Sequence, residues 1–111
     1  MSLRNQILKG STEILLLKLL NDEPMYGYQL VQELRGRSGG YFEMKEGLLY
    51  PTLHRMQKQG LITSEWQLAG EKRRRKYYSI TAEGRALLDE GSAEWEAFMK
   101  QMQHMLRSNP T

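Results

Sequence analysis

Five consecutive cations, Lys72, Arg73, Arg74, Arg75 and Lys76, are the densest charge in this chain. So close together they repel one another, and a phosphate backbone offsets that repulsion while released counterions drive association at low salt. RNA and anionic lipid also carry phosphates. A membrane-surface binder, however, needs a basic amphipathic helix, and none is present. A merely solvated charge run is the bland alternative. Duplex DNA ranks first.

A second group points the same way. In the segment Glu46 to Gln59, Leu49, Leu53 and Met56 fall on one side of a helix at i, i+4 and i+7. The opposite side carries Gly47, Pro51, His54 and Lys58, flanked by Tyr50 and Arg55. Small, aromatic and basic residues with few carboxylates suit close approach to a major groove. Arg55, His54 and Lys58 could donate to bases or phosphates, and the Tyr50 hydroxyl to a phosphate. Alone, such a face would read as ordinary solvated helix; beside five cations it reads as a DNA contact surface.

Catalysis finds no support. The two histidines, His54 and His104, stand apart, and no Ser-His-acid set or carboxylate pair converges. Cysteine is absent, which removes disulfides and thiolate metal sites and fits a reducing compartment. No metal or other cofactor is implied. The N-terminus lacks the apolar core of a signal peptide, and the longest apolar run, Ile14 to Leu17, cannot span a bilayer. A cytoplasmic protein without membrane contact is expected. Net charge is +3, which matters less than where the charge sits.

The elements that position these residues follow from periodicity. A first helix is expected from about Ser11 to Leu20, capped by Ser11 or Thr12 and stopped near Pro24. A second follows Met25-Tyr26-Gly27 and ends before Gly36; the third ends at Gly60. Pro51 should delay or bend that third helix. Leu61 to Leu68 and Arg75 to Ile80 then read as two strands of a hairpin. Thr81 caps a last helix reaching about Arg107, and irregular ends are expected at the first few residues and at Asn109-Pro110-Thr111. The fold class is mainly α with a small β-hairpin: a winged helix-turn-helix (residues 1–80) plus a long C-terminal dimerisation helix (residues 81–111).

That last helix carries Gly84, Leu88, Gly91, Trp95, Phe98, Met102 and Met105 at alternating spacings of four and three, a heptad seam. Leu88, Gly91, Trp95, Phe98, Met102 and Met105 are the expected dimer interface; packing onto the chain's own domain is the alternative. About 40 Å of helix, at 1.5 Å per residue, is long for so small a domain, which favours a second subunit. A homodimer would present two reading helices to a pseudo-palindromic operator. Trp95, Phe98 and Met99 also form an adaptable aromatic and thioether surface that could hold a flat apolar molecule, although such stripes are more often core.

Taken in order, Tyr26-Gly27-Tyr28-Gln29-Leu30, Gly47 through Met56, Gly60-Leu61-Ile62 and Arg74-Arg75-Lys76-Tyr77-Tyr78 with Ile80-Thr81-Ala82-Glu83-Gly84 resemble the PadR family of transcriptional regulators, from about Lys9 to Trp95. The resemblance implies a dimeric winged helix-turn-helix repressor of the small subfamily with a single C-terminal helix. It sets Tyr50 on the recognition helix, Arg74, Arg75 and Lys76 in the wing, and Tyr77 and Tyr78 on the second wing strand. Relatives are often relieved by small aromatic or multidrug-like compounds, in some held by a tryptophan at the place of Trp95. The rival class is a winged-helix protein-interaction module that never touches DNA, against which the basic block argues.

Overall fold

The computed structural model describes residues 3–109. Helix α1 spans Leu3–Asp22, strand β1 Met25–Tyr26, helix α2 Gly27–Arg37 and helix α3 Glu46–Lys58. Strands β2 (Ile62–Leu68) and β3 (Arg74–Ile80) form a hairpin, and helix α4 (Ala82–Arg107) closes the chain. The architecture is mainly helical with a small antiparallel sheet and a long C-terminal helix, in a winged-helix arrangement.

The core follows from the apolar periodicity of the helices. Leu16 and Leu17 of α1, Leu30 of α2, and Leu49, Leu53 and Met56 of α3 lose all solvent contact and meet Met25 of β1 and Ile62 of β2. Burial of each such side chain stabilises the fold by roughly 1.5–3 kcal/mol. The only buried polar residues among those described, Thr12 and Thr52, satisfy their hydroxyls within their own helices. Each donates to the carbonyl one turn back, Thr12 to Leu8 and Thr52 to Leu48, both at 2.7 Å.

Four local features differ from the sequence reading. Helix α1 begins at Leu3, not Ser11; Ser11 and Thr12 lie inside it and donate backwards instead of capping it. Leu8, buried upstream of them, anchors the extra turns. Of the expected irregular ends, residues 1–2 and 110–111 lie outside the described residues. Met25 and Tyr26 form a third strand, paired with Tyr78 and Tyr77, so the sheet order is β1-β3-β2. Helix α2 continues through Gly36 to Arg37, whose guanidinium binds Asp22 at 2.5 Å and Glu33 at 3.0 Å. That pairing holds the Asp22 carboxyl below its usual pKa. Finally, Pro51 sits inside α3 without delaying its start at Glu46; it lacks the N–H that would reach the carbonyl of Gly47, an exposed residue.

Thr81 caps α4 as its sequence suggests, accepting from the Gly84 N–H at 3.0 Å. The first turn of α4 packs at Gly84 on Leu61 and Ile80, Gly91 meets Ile14 of α1, and from residue 96 onward the helix is exposed. The radius of gyration, 16.1 Å, reflects that projection, since a compact chain of this size would have about 13 Å.

Candidate nucleic-acid interface

Helix α3 buries Leu49, Thr52, Leu53 and Met56, which turns Gly47, Pro51, His54 and Lys58 outward. Tyr50 lies at the edge of that exposed face and leans toward α2. Its ring passes over Gly27, where only the absence of a side chain leaves room: a Cβ there would stand 2.5 Å from the phenolic oxygen. Arg55 takes a different course. Its Nε donates to Glu13 of α1 at 3.2 Å, so this exposed side chain is tied to α1 at the edge of the face that carries His54 and Lys58.

The hairpin divides the basic block. Its turn is closed by the Ala69 N–H donating to Arg73 O at 2.8 Å, with Gly70 at a φ of 108° that L side chains rarely adopt. Lys72 and Arg73 are exposed in this turn, whereas Arg74, Arg75 and Lys76 lie on β3. Strand alternation then separates the three. Lys76 is paired across from Trp66 and Arg74 from Leu68, so all four share a face of the sheet.

Aromatic rings hold these cations. The Arg74 guanidinium and the Lys76 ammonium both lie 5.9 Å from the Trp66 ring centroid. Arg75, on the other side of β3, stacks at 4.4 Å over Tyr26, which meets Tyr77 edge-on at 5.5 Å. Such contacts are individually modest, about 0.5–1 kcal/mol at exposed sites, but they restrict long side chains to extended, outward conformers. None of Lys72 to Lys76 forms an ion pair among the described residues. Their charge is available to a partner.

The two surfaces meet. Tyr50 of α3, Tyr28 at the start of α2, and Trp66, Arg74 and Lys76 of the hairpin line one open groove of about 420 Å3. Tyr78 closes its floor; burial, and then neighbouring Tyr50, raise its phenol pKa above the ordinary value. Sequence reasoning singled out Tyr50 and the cations but missed Tyr28 and Trp66 as groove residues. Trp66 is 57% exposed, an uncommon placement for a tryptophan on a regular strand.

The seam residues of α4 divide into two sets. Leu88, only 5% exposed, belongs to the chain's own core, and Gly91 faces Ile14 of α1, whose Cδ1 occupies the space of a side chain at 91. These two positions pack within the chain, the alternative that the heptad spacing left open. Beyond them, Phe98, Met99, Met102 and Met105 are exposed, and Trp95 is half-buried with its ring edge-on to Phe98 at 5.5 Å. Glu94, Trp95 and Phe98 border a hollow of about 320 Å3.

Among the described residues, no cluster of His, Asp and Glu could hold a metal ion, and no helix is long and apolar enough to cross a membrane.

Comparison with known proteins sets this geometry in context. A transcriptional regulator of Mycobacterium tuberculosis is 37% identical over 81 residues, covering 73% of this chain and 72% of its own length. The crystal structure of a PadR family transcriptional regulator from Eggerthella lenta superposes with a TM-score of 0.82 at 35% identity, covering 94% of this chain and 88% of that one. The transcriptional regulator YqjI of Escherichia coli is 26% identical over 106 residues, yet the match, 91% of this chain, spans only 49% of its length. The model of the transcriptional regulator PadR-like family matches residues 16–90. With the fold, the ordered motifs and these relatives in agreement, this chain belongs to the PadR-like family of transcriptional regulators.

Proposed function

We propose that the chain is a homodimeric repressor that binds double-stranded DNA through α3 and the hairpin wing, and that a small aromatic effector at the α4 seam relieves it. The observation that carries the DNA reading is the shared groove: Tyr50 of α3 and Arg74 and Lys76 of the wing line one hollow with a cationic rim. On this reading α3 is the recognition helix, with Gly47 and Pro51 allowing close approach and His54 and Lys58 donating to the groove or its phosphates. Lys72, Arg73, Arg74, Arg75 and Lys76 grip the backbone.

A dimer is supported by the apolar stripe Trp95, Phe98, Met102 and Met105, of which the chain's own domain leaves Trp95 half-buried and the other three exposed. Two-fold pairing there would present two recognition helices to a pseudo-palindromic operator. It would also bring two Trp95–Phe98 hollows together, each close to the lower size of ligand pockets, about 300 Å3. A planar apolar molecule stacked between such rings would reset the spacing of the recognition helices.

The test is binding to the DNA upstream of the chain's own gene, against a scrambled duplex of equal length, over a range of salt. Selective, salt-dependent binding that Tyr50→Ala or Arg74→Ala weakens supports a repressor. Equal, salt-insensitive binding to both duplexes, or none, sinks the DNA reading and leaves a protein-interaction module. For the effector, Trp95 emission is followed in a Trp66→Phe background. If planar aromatic compounds change neither that emission nor DNA affinity, the effector reading is wrong.

A further inference from the structure

Among the described residues, Arg55 is the one cation of the α3 face and wing whose charge is answered by an ion pair within the chain. Its Nε donates to Glu13 Oε1 at 3.2 Å, across 42 residues of sequence. Among the described residues this is also the only ion pair that joins α3 to another element; the others link Arg35 to Glu43 and Arg37 to Asp22 and Glu33. Stability does not account for it, because the side chains are 55% and 31% exposed and exposed pairs contribute little.

The geometry of the contact suggests another role. Only Nε is engaged; among the described residues the two terminal nitrogens of Arg55 make no hydrogen bond. A guanidinium fixed through Nε keeps its planar pair of terminal donors, the fork that matches the O6 and N7 acceptors of guanine. At the same time the Glu13 carboxylate cancels the charge that would draw the side chain to any phosphate. An untethered arginine at the edge of a recognition helix would bind every duplex better and discriminate less.

We infer that Glu13 is a specificity-determining residue: by holding Arg55 through Nε it turns a general phosphate contact into an oriented, charge-compensated reader of a base edge. This rests on the DNA-binding reading above. It adds to it an acidic residue on α1, an element outside the recognition helix and the wing, and it gives Arg55 a different task from that of Lys58 or the wing cations.

The experiment measures full-length wild type, Glu13→Gln, Arg55→Gln, Arg55→Lys and the Glu13→Gln/Arg55→Gln double variant on the upstream duplex and on its scrambled counterpart, over a salt series. Glu13→Gln should bind scrambled DNA more tightly, with a salt slope steeper by about 0.9, one added phosphate contact. Its preference for the upstream duplex should fall at least about fivefold, the lower end of what a bidentate base contact contributes. In the double variant Glu13→Gln should have no further effect, because its partner is gone. Arg55→Lys, which keeps the charge and loses the fork, should retain scrambled binding and lose preference; it tests the same assignment independently of whether Glu13→Gln folds well.

Wild-type behaviour of Glu13→Gln on both duplexes, or an equal effect of Glu13→Gln with and without Arg55, overturns the inference while leaving the DNA reading intact. Absence of salt-dependent binding by the wild type removes both together.

Discussion

The phenol of Tyr50 lies across Gly27, so that a Cβ on the glycine would be 2.5 Å from Oη and 3.0 Å from Cζ. The first residue of α2 thereby sets where an α3 side chain stands at the mouth of the groove. Tyr50 is 45% exposed and can swing outward, so Gly27→Ala should cost little stability. It should lower duplex affinity about tenfold, near the lower end of one hydrogen bond to a charged phosphate. Parallel thermal melts and DNA titrations separate the two effects. If Gly27→Ala binds as the wild type does, the position of Tyr50 is immaterial to recognition.

Two glycines of α4 offer a comparison on stability. A Cβ at Gly84 would strike the Leu61 carbonyl and approach Ile80 Cγ1 at 2.8 Å. That carbonyl accepts the Thr81 N–H at 3.1 Å, and the Thr81 hydroxyl donates to Gly60 O at 2.6 Å, so backbone fixes the joint on both sides. At Gly91 the obstacle is the tip of Ile14, which has other rotamers. Gly84→Ala should destabilise by about 1–3 kcal/mol from overpacking, even against a helix-propensity gain of about 1 kcal/mol. Gly91→Ala should come out near neutral. Urea midpoints decide the order, and the reverse order would mean that the Leu61–Thr81 joint yields.

Much of this architecture was legible because its signals are local. The apolar period of α3, the alternation of the hairpin and the Thr81 cap each lie within one segment. What escaped depends on distant partners. Ser11 and Thr12 have the chemistry of a cap, yet Leu8 upstream finds a place in the core and the hydroxyls turn back along a continuing helix. Two residues of β1 cannot show an alternation; they become a strand only because the edge of β3 accepts them. Arg55 falls on the basic side of α3 by spacing, but the carboxylate that holds it is on α1. Leu88, Gly91 and Trp95 share one heptad phase, and nothing in that phase tells which of them meets α1 and which is left uncovered.

The uncovered part of α4 makes the strongest demand for a partner. Phe98, Met99, Met102, Met105 and Leu106 are between 44% and 77% exposed, in a helix whose outer turns touch no other element closely enough to bury them. A lone helical extension of this length is marginal in water, so its order requires burial of the stripe. Met102 lies one turn beyond Phe98 on that stripe, away from the core and from the wing groove. Met102→Glu would set a carboxylate, and by two-fold pairing a second one, in the apolar seam. The wild type should therefore sediment at twice the chain mass of 13.0 kDa and melt at a temperature that rises with concentration. Met102→Glu should sediment as a single chain, lose that concentration dependence and shift Trp95 emission to the red in the Trp66→Phe background. Because each protomer still carries its wing, it should retain salt-dependent affinity for scrambled DNA while losing most of its preference for a two-fold site. A Met102→Glu protein that remains dimeric would move the subunit contact off this stripe, and with it the proposed effector site.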